Sequence, residues 1–333
     1  MQVYTDERIA GIGRIGQTLS HAPHYGDTAE SIKANIDNYI RPAILGHHPF
    51  NVESLFETMH KSIGKSTLYP ITAVEFALCD IKGKAFNVPV YQLLGGKCCD
   101  GAPLHGLADR LSVEESIARI EELANEGWTW LKSKIGFGVP EDVAWYRGVH
   151  EAIGDKVRFQ LDANTGYTLG EAVQALTRME EMGGIALFEQ PVRHLDEMAA
   201  LASRITAPLQ ADEAVSTPRS VYDIAQTRAA HVLHFKIEKF GGLLRAKRMA
   251  AVGEAAGLEI SVAPYFDVMA AAAAHFAAST PNVKWPAGFS EMGDTLLTVP
   301  YEPLGQILDP PEGPGLGVEV DEDKLAAYGA KWA

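Results

Sequence analysis

From about residue 103 onward the apolar positions of this chain keep changing their spacing. Compact runs, alternating or continuously apolar, give way to stretches with three- and four-residue spacing, and the cycle repeats. The first pattern marks strands and the second amphipathic helices. The strand-like runs are one near Pro103–Leu107, then WLKSKIGF, FQLDANTGY, IALFEQPV, PLQADEAV, HVLHFKIEKFGG, LEISVAPYFD and VKWPAGFSEMGD. Helix punctuation falls between them. Ser112 with Glu115 forms a capping box ahead of Ile117, Ile120 and Leu123, and Gly127 closes that helix; Thr168 with Glu171 repeats the signature, closed by Gly183 and Gly184. About eight strands alternating with helices predict a parallel sheet covered by helices, and eight repeats favour a closed α/β barrel over an open sheet.

Residues up to about Gly96 read differently. Gln2–Ile12 has strand character and ends in glycines, a helix is expected over Glu30–Ile44, and helical spacing runs from Asn51 to about Phe86 with a break near Gly64. The glycine-rich stretch LLGGKCCDGAP, Leu93–Pro103, interrupts the periodicity on both sides and marks the boundary between this mostly α segment and the alternating one.

The strand-like runs end in charge. Lys132 and Lys134 close the first of five, followed by Asp162, Glu189, Asp212 and Lys236, at steps of 28, 27, 23 and 24 residues from Lys134. That interval is about one strand plus one helix, so in a closed barrel all these groups converge on the C-terminal mouth, where such barrels keep their chemistry. Side chains two apart share a strand face. Lys132 therefore goes with Lys134, Asp162 with Asn164, Gln210 with Asp212, and His234 with Lys236. One acidic residue at a strand end is usually solvated or a helix cap, and a KxK strand also describes an exposed edge; it is the register of five that argues for function, because each gathered charge loses solvation.

The residue types suggest the chemistry. Asp162, Glu189 and Asp212 offer hard oxygen ligands to a magnesium-sized cation, which leaves positions for water and a substrate carboxylate. Lysines stand on both sides of the trio in strand order. A lysine beside a cation and another lysine has its neutral form favoured, as a general base requires. The set suits removal of a proton α to a carboxylate, through an enediolate.

Composition narrows the class. The net charge of −14 and a pI near 5.2, without any basic cluster, exclude a nucleic-acid partner. The three cysteines, Cys79, Cys98 and Cys99, form neither a disulfide framework nor a zinc motif and point to a reducing cytoplasm. No signal-like segment opens the chain, and the alanine-rich run Val268–Ala278 is too short to span a bilayer, so no membrane role is expected. GIGRIG, Gly11–Gly16, matches GxGxxG, but QTLSHAPHYGD does not open an apolar helix after it, and a turn is expected instead. His21 with His24, and His47 with His48, lack the further ligands of a zinc site and read as solvated loops. GFSEMG lacks the last glycine of a nucleophile elbow.

Several segments resemble one family. Ala73–Gly96, AVEFALCDIKGKAFNVPVYQLLGG, looks like the helix that leads into the barrel of the enolase superfamily, and KSKIGFG, LDANTGY, FEQPV, ADEAV and FKIEKFGG look like its successive strand ends. Gly313–Leu325, GPGLGVEVDEDKL, resembles its C-terminal segment. A lysine on the sixth strand, with SVAPYFD and no histidine on the seventh, resembles the muconate lactonizing enzyme subgroup more than the mandelate racemase subgroup. The resemblance implies a (β/α)7β TIM-like barrel over residues 99–300, an α+β capping domain over 1–98, and a segment, 301–333, that returns to the cap. It implies Asp162, Glu189 and Asp212 as ligands of magnesium, with manganese as a substitute. Lys134 and Lys236 become opposed acid/bases, Lys132 polarises the substrate carboxylate, and Glu213 supports the lysines or the metal. Asn164, His234 and Glu291 are expected to support the site or touch substrate, His234 as a barrel-lining residue.

Two departures bear on substrate. The resemblance implies a further cap strand and a substrate-covering loop ahead of Met1, so either the start is misassigned or the cap is short; the loop Ser20–Asp27, with His21, His24 and Tyr25, is the expected remaining cover. The eighth strand carries Glu291 and Asp294 but no DxD pair, which lowers a dipeptide epimerase reading. The expectation is an isomerase (racemase, epimerase or cycloisomerase) acting on a small carboxylate, in a homo-oligomer. Its alternatives are a hydroxy-acid or sugar-acid dehydratase of the same superfamily, a Schiff-base enzyme using Lys236, and a binding-only relative.

Overall fold

The computed structural model describes residues 1–16, 27–64, 67–290 and 294–329. The chain opens with a hairpin, β1 (Gln2–Tyr4) antiparallel to β2 (Ala10–Ile12), where the sequence pattern suggested one strand. The polar stretch Thr5–Arg8 makes the turn. The Thr5 hydroxyl bonds both the amide and the carbonyl of Ile9, and Arg8 takes a left-handed φ of 64°. Gly11 and Gly13, the first glycines of the GIGRIG match, let this hairpin lie directly on helix α3, introduced below. A Cβ at either would run into the carbonyls of Ala77 and Ala73.

The helices of this part follow the predicted order. α1 (Ala29–Asn35) starts on a Thr28/Ser31 capping box and continues through a π turn and an α turn to Ile44. α2 (Val52–Ile63) stops at Gly64, and α3 (Tyr69–Phe86) stops at the left-handed Asn87. Ile40, Val52, Leu55, Met59, Ile71, Val74 and Leu78 form a core of their own between them.

The barrel strands are β3 (Ala102–Leu107), β4 (Trp130–Lys134), β5 (Arg158–Asp162), β6 (Ile185–Glu189), β7 (Leu209–Ala211), β8 (Val232–Phe235) and β9 (Glu259–Val262), each parallel to the next. Between them run α4 (Val113–Asn125), α5 (Val139–Ile153), α6 (Leu169–Met182), α7 (Leu195–Ala202), α8 (Pro218–Thr227) and α9 (Leu243–Ala255). Both capping boxes read from the sequence, Ser112/Glu115 and Thr168/Glu171, are formed. α10 (Asp267–Ala278) follows β9 and is buried on every side, its alanines allowing close approach to its neighbours. No described helix is long and apolar enough to cross a membrane.

Closure depends on one divided strand. β10 (Val283–Trp285) pairs with β9, while β11 (Ala287–Gly288) pairs with β3, and only Pro286 stands between them. Proline has no amide hydrogen to give to a ladder, so the strand changes neighbours there. The result is a nearly closed parallel barrel surrounded by helices, with the α+β segment capping it.

The C-terminal stretch runs back over both parts. β12 (Ile307–Leu308) pairs antiparallel with β3, Gly315 exchanges backbone hydrogen bonds with Val88 and Val90, and the amide of Leu316 donates to Asp80 at 2.8 Å. α11 (Glu322–Gly329) ends the described chain. Two buried polar groups of α3 dock the cap on the barrel. Thr72 donates its hydroxyl to the carbonyl of Glu238 at 2.8 Å, and the Glu75 carboxylate accepts the amides of Leu243 and Leu244 at 2.9 and 3.0 Å, capping α9 from another part of the chain.

Candidate active site

The parallel register lines up the strand ends. Lys134 lies opposite Asp162, Asp162 opposite Glu189, and Glu189 opposite Gln210. Asp212 follows β7 and Lys236 follows β8. Hence Lys132, Lys134, Asp162, Glu189, Asp212 and Lys236 come together at the C-terminal mouth, in two sets of ion pairs. Lys132 Nζ is 2.6 Å from Glu189 Oε2 and 2.9 Å from Asp162 Oδ2. Lys134 Nζ is 2.6 Å from that same Asp162 Oδ2, and across the mouth Lys236 Nζ is 2.6 Å from Asp212 Oδ2.

Burial opposes charge on all three carboxylates. At Asp162 the ammonium groups of Lys132 and Lys134 outweigh it, and at Asp212 those of Lys236 and Lys239 do, so both carboxyls are held below the usual range. At Glu189 burial prevails, aided by the neighbouring Asp162, and its pKa is raised. Lys132 is itself buried, yet Asp162 and Glu189 raise its pKa, so it remains a cation at neutral pH. Lys134 is the exposed member: its side chain is 46% accessible, against 13% for Lys132 and for Lys236.

The donor set suits a hard divalent cation. Three carboxylates meet at one mouth, and Glu189 Oε1 is a buried acceptor with no hydrogen-bond partner, the kind of oxygen a metal ion satisfies. As they stand, no three described carboxylate, imidazole or thiol groups gather round a common point, because the lysines hold the carboxylate oxygens to their own nitrogens.

The supporting residues vary in how they are placed. Asn164, at a left-handed φ of 42°, donates its amide to Asp162 Oδ1 at 2.9 Å, accepts from Lys134 through its side chain, and donates Nδ2 to Glu213 Oε1 at 3.1 Å. Glu213 is raised by burial and by Asp212. His234 lies lower in the barrel, Nδ1 2.7 Å from Ser261 Oγ, which donates to Gln210 Oε1 at 3.1 Å; burial holds the imidazole well below its usual pKa. His21, His24, Tyr25 and Glu291 lie outside the described residues.

Three contributors had gone unread in the sequence. Lys239 reaches Asp212 Oδ1 at 2.9 Å. Its signal was present as KIEK: a 3₁₀ turn over Ile237–Lys239 eclipses side chains three apart and brings Lys239 under Lys236. Gln190 accepts the amides of Asp212 and Ala214 at 2.9 and 3.3 Å and so ties the end of β6 to the end of β7. Gln160 donates to Glu189 Oε2 at 2.6 Å from inside the barrel.

Comparison with known proteins agrees with this geometry. A family model described as "Enolase C-terminal domain-like" matches residues 115–324, and one described as "Mandelate racemase / muconate lactonizing enzyme, N-terminal domain" matches residues 1–95. Muconate cycloisomerase 1 of Acinetobacter baylyi is 30% identical over 98% of this chain and 90% of its own length. The L-Ala-D/L-Glu epimerase of Bacillus subtilis is 36% identical over 78% of this chain and 72% of its own. The crystal structure of N-succinyl Arg/Lys racemase from Bacillus cereus superposes with a TM-score of 0.90 at 28% identity, over 98% of this chain and 88% of that one. The chain belongs to the enolase superfamily, in its mandelate racemase and muconate lactonizing enzyme branch.

Proposed function

We propose that this protein is a magnesium-dependent isomerase that removes and returns the α-proton of a small carboxylate substrate. One observation carries the reading: two lysines, Lys134 on Asp162 and Lys236 on Asp212, approach the carboxylate trio from opposite sides. A substrate carbon held between them presents one face to each. Either lysine, once neutral, accepts the α-proton, and delivery from the opposite lysine inverts the centre; proton removal by one lysine with breaking of the β-carbon–oxygen bond opens a lactone to an unsaturated diacid, and the reverse, carboxylate addition with proton delivery, is a cycloisomerisation. Lys132, kept cationic by its two carboxylates, faces the substrate carboxylate on which charge accumulates. A magnesium ion held by Asp162, Glu189 and Asp212 would supply the further positive charge that makes an α-proton of a carboxylate acidic enough to remove.

The names of the relatives, a cycloisomerase, an epimerase and a racemase, favour isomerisation over dehydration. Within that class the end of the barrel argues against a dipeptide amine as the recognised group. Asp294 is engaged by Lys324 at 2.9 Å and by Tyr328 at 2.6 Å. N-acylated amino acids and lactone-forming diacids are therefore the first substrates to examine. Cys79, Cys98 and Cys99 are free thiols, which suits the reducing cytoplasm.

The test is a screen of N-acyl amino acids, acid sugars and unsaturated diacids with magnesium in deuterated water, followed by NMR. Deuterium entering the α-position of one or both enantiomers supports the reading. Products that have lost water would replace isomerisation with dehydration, and a borohydride-trapped adduct at Lys236 in metal-free protein would replace it with Schiff-base chemistry.

A further inference from the structure

Asp142 is a fully buried carboxylate at the start of α5, outside the two sets of ion pairs at the mouth. It is nonetheless among the most heavily bonded groups in the molecule. Its Oδ2 accepts the successive amides of Gly136, Phe137 and Gly138 at 3.0, 3.0 and 3.1 Å, and the Tyr167 hydroxyl at 2.5 Å. Its Oδ1 accepts from the guanidinium of Arg110. Burial works against its charge, and Tyr167, Arg110 and these amides overcome it, so Asp142 stays ionised.

The clamped amides belong to the loop that leaves β4 immediately after Lys134. That loop is demanding, since Gly136 has φ of 98° and Gly138 of 150°, and a Cβ on Gly136 would strike the Ala163 carbonyl at 2.6 Å. Arg110 carries the clamp one step further. Its guanidinium lies 5.1 Å from the ring centroid of Phe137 and 4.8 Å from that of Trp145, and Nη1 reaches the carbonyl of Lys134 at 3.5 Å. Tyr167 does the same from the other side, because its loop follows β5, the strand that carries Asp162.

We propose that Asp142, bridging Arg110, Tyr167 and the Gly136–Gly138 amides, is a positioning residue for Lys134, aiming the half-exposed lysine at its face of the substrate. The inference rests on the reading of Lys134 as an acid/base. Lys134 needs such an aid more than Lys236 does. A long side chain with 46% exposure loses rotamer freedom each time it points correctly, and a rigid backbone at its root reduces the number of wrong directions. Lys236 is restrained by its own burial and by the 3₁₀ turn that follows it. Asp142 touches neither substrate nor metal ligand, so its effect has to pass through the loop.

The experiment uses the full-length enzyme with magnesium and a substrate found in the screen. Solvent deuterium entering each enantiomer is followed in the wild type, Asp142→Asn, Tyr167→Phe and Lys134→Ala, and amide exchange of Gly136–Gly138 is followed without substrate. Asp142→Asn is expected to slow exchange on the Lys134 face about 10- to 100-fold and to leave the Lys236 face within about twofold, since a misplacement near 1 Å costs roughly that much. Tyr167→Phe should give a smaller loss on the same face, and the three amides should exchange faster in both variants. Equal slowing on both faces would show a merely structural role, and unchanged rates on a loosened loop would show that Lys134 needs no aiming; either overturns the proposal. If Asp142→Asn does not fold, Tyr167→Phe alone decides by the same face-selective comparison. Lys134→Ala separates the two levels: if both faces exchange normally in that variant, the acid/base reading of Lys134 fails whatever the Asp142 variants do.

Discussion

The two sides of the barrel mouth hold their lysines by opposite means. On the Lys236 side the lysine is mostly buried, a second lysine shares its carboxylate, and the cap rests directly above, with Thr72 bonded to the Glu238 carbonyl. On the Lys134 side the lysine is half exposed and the backbone beyond it is fixed from beneath by one carboxylate. Burial aims a side chain by leaving it nowhere else to go. A clamped loop aims it by fixing its root and leaves the tip wet. On the proposed two-base reading, the two faces therefore differ in proton accessibility although a lysine serves each.

The largest effect should erase the contrast. Chelation is expected to lower exchange on both faces by about a thousandfold, ~4 kcal/mol, with recovery on adding magnesium, because a Lewis acid serves both proton transfers equally. Full activity in stripped protein refutes the metal assignment. The next effect should divide the faces: Lys134→Ala and Lys236→Ala should each remove about 10²-fold of exchange on one side only, read as deuterium entry into one enantiomer. Loss on both sides in both variants would merge the two lysines into one functional unit.

A smaller effect belongs to the cap contact on the Lys236 side. Burial pushes the Glu75 carboxyl up to about 7 from an ordinary 4.5. Between those values the folded protein keeps a proton that the unfolded chain has released, so this group's contribution to stability falls as pH rises from about 4.5 to 7 and is level above that. Glu75→Gln should flatten the pH dependence of thermal unfolding over that window by about 3 kcal/mol relative to the wild type, on the scale of 1.36 kcal/mol per pKa unit. Parallel curves for the two proteins would show that Glu75 does not titrate there. The smallest effect is kinetic. A deuteron delivered to Lys236 should be returned to substrate a few times more often than one delivered to Lys134, because exchange with solvent is slower at a buried ammonium; equal retention from both enantiomers would remove the distinction in wetness.

The barrel and its charged strand ends were legible because they depend on period and spacing. The capping boxes Ser112/Glu115 and Thr168/Glu171 fix where helices begin, and a βα unit of nearly constant length puts Lys134, Asp162, Glu189, Asp212 and Lys236 on one rim. What escaped depends on turns and on contacts far apart in sequence. Lys239 matters only because Ile237–Lys239 is a 3₁₀ turn, and Gln190 only because it bonds the amides of the next strand end. Asp142 looks like an ordinary first-turn acid of a helix until the loop before it folds back onto its side chain. The strand expected over Gln2–Ile12 became a hairpin for a local reason, since Thr5 bonds Ile9 and turns the chain. Of the GIGRIG glycines, Gly11 and Gly13 allow two backbones to touch, while Gly16 makes room for the side chain of Phe266.

Pro286 has a consequence for how the molecule assembles. The strand it divides joins β9, its neighbour in sequence, to β3, which was made more than 170 residues earlier. The first half of that strand can dock as soon as β9 is in place, but the second half closes a loop as long as the whole barrel, and the entropy of bringing its ends together falls on two short residues of ladder. The barrel should therefore zip along its length first and fasten last at this join. The same join should be the first to part under load, with the amides of β11 losing their protection before those between β5 and β6.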